Sequence, residues 1–313
     1  MTYTGEWLRY LSMTHASGPY CLPLGLKKEL EDFSGTSTSE METCSPQQFD
    51  EILSKALKLA EESVNAYPVR YHTIEHFREV LAHGTTIITT YKQLSHKKLP
   101  PVVEQAFYLA LALHDIGHPG ATFRSDAPGG MHLPHFGTEV STEWVSSVLA
   151  DAFAKKNGFN PFARLFITQI IWASTYGGTT PRGKLLKLDR IKPSTFFERA
   201  MVVADIAPAD SFVREMQKGV NITLGEKPAS PPPATWSDWL KNRIGFLSGY
   251  ILPNLSALDA VCDISLSTIL GWRSAADNHL AKLTAIQAGK EPVLATIMKH
   301  QLAPYDDRID LNA

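Results

Sequence analysis

The stretch Val102-Val103-Glu104-Gln105-Ala106-Phe107-Tyr108-Leu109-Ala110-Leu111-Ala112-Leu113-His114-Asp115-Ile116-Gly117 decides how this chain is read. Its pattern predicts a buried helix from Val102 to about Ile116, stopped by Gly117 and by Pro119-Gly120. The apolar core of the run, Ala106–Leu113, is too short to span a bilayer. What it does instead is deliver an adjacent histidine and aspartate at the end of a buried element.

Working outward, the same texture recurs. Phe49, Ile52, Leu53, Ala56, Leu57 and Ala60 repeat at helical spacing, with Ser45 placed to cap that helix and Pro46 at its first position. Further helical patterns cover Tyr71–Ile88, Phe136–Phe153, Pro161–Ser174, Phe196–Ala207, Asp210–Lys218, Trp236–Leu252, Ala257–Leu270 and Arg273–Ala288. Strictly alternating runs rich in β-branched and aromatic residues are nearly absent. The expected fold class is therefore all-α, a multi-helix bundle. Residues 1–45 read as an irregular or lid segment, because Ser34–Glu40 is small, polar and aperiodic. Residues 46–290 read as the main helical domain and 291–313 as a C-terminal helix and tail. The segment from Ala229 through Pro231-Pro232-Pro233 reads as a loop, since consecutive prolines do not sit inside a helix.

The chain has 313 residues and a net charge of −2, with a pI near 6.6. That balance argues against a general nucleic-acid coat or an anionic-membrane binder, which need a basic surface. Cys21, Cys44 and Cys262 are too few and too scattered for a disulfide framework or a zinc knuckle. No basic segment followed by an apolar run opens the sequence. The expectation is a cytoplasmic protein with no membrane span.

Three segments carry the chemistry. In Tyr71-His72-Thr73-Ile74-Glu75-His76 the two histidines are four apart, so a helix would project them from nearly one face. His114-Asp115 follows the apolar run. In Met201-Val202-Val203-Ala204-Asp205 a single acid ends an apolar stretch, an expensive place for a carboxylate unless it is paired or binds a metal. Imidazole and carboxylate together suit zinc, manganese and iron, and magnesium where oxygens dominate. Asp115 could bridge two cations, which would hold a hydroxide in line with phosphorus. A histidine left off the metal could protonate the leaving oxygen. Each residue alone also has a plain structural reading: a hydrogen-bonded core histidine, or an Asp205 that belongs to a turn before Pro208.

The order His, His-Asp, Asp resembles the signature of the HD superfamily of metal-dependent phosphohydrolases. Tyr71-His72-x-x-x-His76-x-x-x-Val80 and His114-Asp115-x-x-His118-Pro119-Gly120 are similar to motifs of the class I cyclic-nucleotide phosphodiesterases. Val203-Ala204-Asp205-Ile206, Ile170–Thr175 and Arg243-Ile244-Gly245-Phe246 before Pro253 extend the resemblance over roughly residues 47–285. It implies a compact helical bundle with a central bimetal pocket. It implies His72 as general acid and His76, His114, Asp115 and Asp205 as ligands of a first metal, usually zinc. Asp115 would reach a second metal, usually magnesium or manganese. His118 would orient a water, and Phe246 would clamp a base. Arg243 stands where that family carries a purine-binding glutamine. Arginine offers donors only, which suits a phosphate or carboxylate rather than the two-way pairing of an amide. Thr73 and Phe123 also replace family asparagines.

His132-Leu133-Pro134-His135 loosely matches a Glu-x-His-His segment of the family. Some HD proteins complete a second metal with two extra histidines in this region, which would be His132 and His135. Otherwise His135 opens a helix and His132 is exposed. The implied activity is hydrolysis of a 3′,5′-cyclic nucleotide to its 5′-monophosphate. The alternatives are hydrolysis of another nucleotide or phosphate ester, a di-iron oxygenase, or a catalytically inactive scaffold.

Overall fold

The computed structural model describes residues 44–66, 70–117, 142–174, 195–225, 233–305 and 309–311. Twelve α-helices lie among them: α1 (Pro46–Ala66), α2 (Ile74–Ser95), α3 (Pro101–Leu113), α4 (Thr142–Lys156), α5 (Pro161–Ala173) and α6 (Phe196–Ile206), then α7 (Phe212–Val220), α8 (Trp236–Phe246), α9 (Leu252–Cys262), α10 (Leu266–Ile269), α11 (Trp272–Gln287) and α12 (Pro292–Leu302). No strand occurs among the described residues; the nearest thing is an isolated bridge between Thr235 and Asp310. The all-α expectation holds for the described chain. Of the N-terminal segment expected at 1–45, only Cys44 and Ser45 are described.

Helix α3 organises the bundle. Ala106, Phe107 and Leu109–Leu113 are all buried, so the C-terminal half of the helix is apolar nearly all round and belongs in the centre. It packs against α1, α2, α4 and α5, while α6 packs against α2, α5 and α9. Two glycines permit close approaches around this helix. A β-carbon on Gly84 of α2 would collide with the Leu111 side chain. One on Gly117 would come within 2.6 Å of the Ser146 main-chain nitrogen and 2.8 Å of Val145 Cβ. The turn after α3 is thereby pressed onto α4, where Gly117 N–H donates to Ser146 Oγ (2.9 Å).

Local chemistry explains the helix starts. Ser45 and Gln48 cap α1 reciprocally: Ser45 N–H donates to Gln48 Oε1 (3.0 Å) and Gln48 N–H to Ser45 Oγ (3.3 Å). Thr195 and Glu198 do the same for α6. Asn160 caps α5, with Pro161 at its first position.

Several boundaries differ from the sequence expectation, and two have a plain physical reason. Residues 70–73 are bends, and α2 begins only at Ile74 and runs on to Ser95, where His96 turns left-handed (φ 54°). Further on, Pro253 does not end a helix. A π-helical turn, Leu247–Ile251, widens the backbone so that Leu252 N–H reaches the Leu247 carbonyl. Pro253 then sits in the first turn of α9, where its missing N–H costs little. The break comes at Asp263, in the left-handed region (φ 56°).

The continuous run Trp236–Cys262 has the length and hydropathy of a membrane span, with 27 residues. It nevertheless buries Trp239, Leu240, Leu247, Ile251, Leu255 and Leu258 in the common core and carries Asp238, Lys241, Arg243 and Asp259. No clear membrane span is present among the described residues. Helix α12 packs against α7 and α11 and adds Met298 and Leu302 to the same core.

Candidate metal centre

Three helix ends converge. His76 lies in the first turn of α2, His114 and Asp115 follow the last residue of α3, and Asp205 is the penultimate residue of α6. One donor atom from each of the four lies within 4.8 Å of all the others. His114 Nε2 is 2.9 Å from Asp115 Oδ2 and 3.6 Å from Asp205 Oδ1. His76 Nε2 is 3.3 Å from Asp205 Oδ1 and 3.6 Å from Asp115 Oδ2. His72, on the bend ahead of α2, places Nε2 3.5 Å from Asp115 Oδ2.

This donor set fits a cation. His114 Nδ1 donates to the Leu111 carbonyl (2.9 Å), so when the ring is neutral its Nε2 lone pair faces the cluster. His76 Nε2 and His114 Nε2 are buried, yet neither makes an aligned hydrogen bond. Two nitrogens and two carboxylates, with neutral rings, leave a charge of about −2 that one divalent ion balances. Electrostatics point the same way. Burial pushes Asp115 and Asp205 up, but the neighbouring imidazoles outweigh it and hold both below the ordinary carboxylate range. Burial pushes His114 down, and Asp115 and Asp205 outweigh that and raise it well above the usual imidazole value. The carboxylates demand positive charge, and either protonated rings or a cation can supply it.

The centre is closed on the inside and more open on one side. His76 and His114 are 4% and 0% exposed, whereas the Asp205 side chain is 20% and the His72 side chain 14% exposed. A ligand therefore meets His72 and Asp205 first. Tyr71 walls the same region, its ring 4.9 Å from that of His72 and 4.6 Å from that of His76. Burial, reinforced by Asp205, raises the Tyr71 hydroxyl well above its usual pKa, so it stays a neutral phenol.

Compared with protein-family profiles, curated proteins and solved structures, the chain matches none. The geometry therefore stands by itself: a buried His76/His114/Asp115/Asp205 group that could hold a metal ion.

Not every expected site residue joins this group. His118, His132 and His135 lie outside the described residues. Arg243 is only 4% exposed and directs Nη2 to Glu215 Oε1 (2.8 Å). Its guanidinium also lies over the Phe246 ring, 4.9 Å from the centroid. The charge expected to meet a substrate is thus engaged inside the protein, by an acid that the sequence did not single out.

Sequence reasoning also passed over His83. Its Nδ1 is 3.0 Å from the Ala204 carbonyl, one residue before Asp205. The signal was present: His83 follows His76 by seven residues, two helical turns along the same face.

Proposed function

We propose that this protein is a metal-dependent phosphoric ester hydrolase, with a 3′,5′-cyclic nucleotide as the substrate class to which the reading leads. The observation that carries it is the convergence of His76, His114, Asp115 and Asp205 with a further histidine, His72, beside them. A divalent ion held by those four (zinc, manganese or iron, with magnesium or manganese at a second position on Asp115) would supply Lewis acidity to the phosphoryl oxygens.

The chain's own groups do the rest. His76 and His114 fix the inner side and exclude water there. Asp115 is held ionised by the three imidazoles around it. His72, on the more open side, would give its proton to the departing oxygen as the phosphorus–oxygen bond breaks, while the attacking water bonds to phosphorus and releases a proton to solvent, from which His72 is reprotonated. Because water is the nucleophile, no covalent enzyme intermediate forms.

One observation favours a second reading within the same class. With Arg243 tied to Glu215, nothing at that position offers an amide to a purine. A different phosphate ester, recognised chiefly by its phosphate, is then the substrate. A panel of cyclic AMP, cyclic GMP, nucleoside monophosphates and dinucleotides, run with zinc, manganese, magnesium or iron, separates the two. Turnover of the cyclic nucleotides supports the first reading, and turnover of the others alone supports the second. Asp115→Ala is the control, expected to abolish turnover and lower metal content while the protein stays helical. Full activity in that variant would overturn the assignment.

A further inference from the structure

We propose that His83 is a positioning residue for Asp205, aiming its carboxylate into the cluster by holding the main chain just before it. The inference rests on the reading of that cluster as a metal centre.

The need for such a device comes from Pro208. In an α-helix the carbonyl of residue 204 accepts from the N–H of residue 208. Residue 208 is a proline and has no N–H. The Ala204 carbonyl is therefore orphaned at the end of α6, immediately before the ligand, and a buried carbonyl without a donor is costly. His83 supplies the donor. A carbonyl only accepts, so the 3.0 Å contact requires the proton on Nδ1.

The placement makes this more than a satisfied helix end. His76 and His83 share one face of α2. His76 Nε2 touches the Asp205 carboxylate (3.3 Å) and His83 grips the peptide before it. Two contacts from the same helix, one to the side chain and one to the main chain, together fix the direction of the Asp205 carboxylate. His83 is itself held, with its ring edge-on to Trp272 at 5.4 Å. Glu79, one turn earlier on α2, is locked by Lys218 Nζ (3.0 Å) and Arg214 Nη2 (3.0 Å). Beyond Pro208 the chain is gripped again: Ala209 N–H donates to Glu215 Oε2 (3.0 Å) and its carbonyl lies 2.9 Å from His279 Nε2. The exit from Asp205 is thus fastened on both sides of the proline.

The test uses the full chain, stripped of metal, and measures zinc and manganese affinity by competition with a chromogenic chelator. Asparagine places an amide nitrogen near the position of Nδ1, and glutamine places it near Nε2. His83→Asn is expected to bind within about threefold of wild type, and His83→Gln at least about tenfold more weakly. Equal affinity for wild type and both variants would overturn the proposal. Equal weakening of both would also overturn it, by assigning the effect to the lost ring rather than the donor. Imidazole nitrogen-15 shifts of the unmutated protein give an independent check, because they must show the Nδ1–H tautomer at His83; the Nε2–H form would refute the role. If the unmutated protein bound neither ion, the metal reading of the cluster would fall and take this role with it. Unchanged affinity in the glutamine variant would sink the role alone.

Discussion

Arg243 and Glu215 form an ion pair of 2.8 Å with side chains only 5% and 3% exposed, and the other Glu215 oxygen holds the Ala209 N–H. A β-carbon on Gly219 would strike the Arg243 side chain, at 2.6 Å from Nε, so the guanidinium is seated against bare backbone. Removing one member of a buried pair strands the other charge and costs about 3–5 kcal/mol. Arg243→Ala is therefore expected to lower stability by about that amount in urea unfolding. A variant as stable as wild type would show that the pair is not formed in solution.

His72 touches Asp115 but stands outside the four-donor group. His72→Ala is expected to keep its metal and to lose about 10²–10⁴-fold in kcat, the usual scale for a lost general acid. Metal content by elemental analysis, read alongside turnover of a phosphate ester, checks both halves. Loss of metal would make His72 a ligand.

Gly117→Ala forces a methyl group against Ser146 and Val145, which are main chain and buried core with little room to yield. Overpacking of this kind costs about 1–3 kcal/mol. Because Gly117 closes the turn that carries Asp115, the displacement should also weaken metal binding. A lowered melting temperature with unaltered metal affinity would mean that the turn absorbs the strain without moving the carboxylate.

Cys262 is buried, and burial together with the nearby Asp259 carboxylate pushes its thiol up to about 12 from an ordinary 9.0. The folded protein should leave Cys262 unreactive toward a thiol reagent at neutral pH, and unfolding should expose it. The sign for stability follows from linkage. The unfolded thiol ionises first, so the contribution is complete below about pH 9 and is lost as pH rises toward about 12. Peptide mapping after labelling of the native protein checks the first expectation. Rapid native-state labelling of Cys262 would contradict the burial.

The sequence spoke clearly wherever a local pattern sufficed. The apolar run into His114-Asp115 declared a central helix with polar groups at its tip, because few other arrangements tolerate such a sequence. The helix starts at Pro46, Pro161 and Phe196 were legible from helical spacing, the first also from its Ser45 cap. Pro253 misled because a proline forbids the helix interior but not the first turn, and the π turn that places it there has no strong sequence signal. The pairing of Arg243 was hidden for a different reason. Its partner lies 28 residues away on another helix, and no local pattern tells an arginine facing solvent from one buried against an acid. The role of His83 depends on a proline in a segment remote in sequence, which only the packing of α2 on α6 brings into view.

Asp310 exchanges two main-chain hydrogen bonds with the start of α8: its carbonyl accepts from Trp236 N–H and its N–H donates to the Ala234 carbonyl, both at 2.8 Å. On the ribosome, Asp310 is made long after Trp236. A nascent chain halted before it would carry an α8 whose opening turn has yet to meet its latch, so the Arg243–Glu215 pair farther along that helix would have to form, at first, on a loosely anchored element.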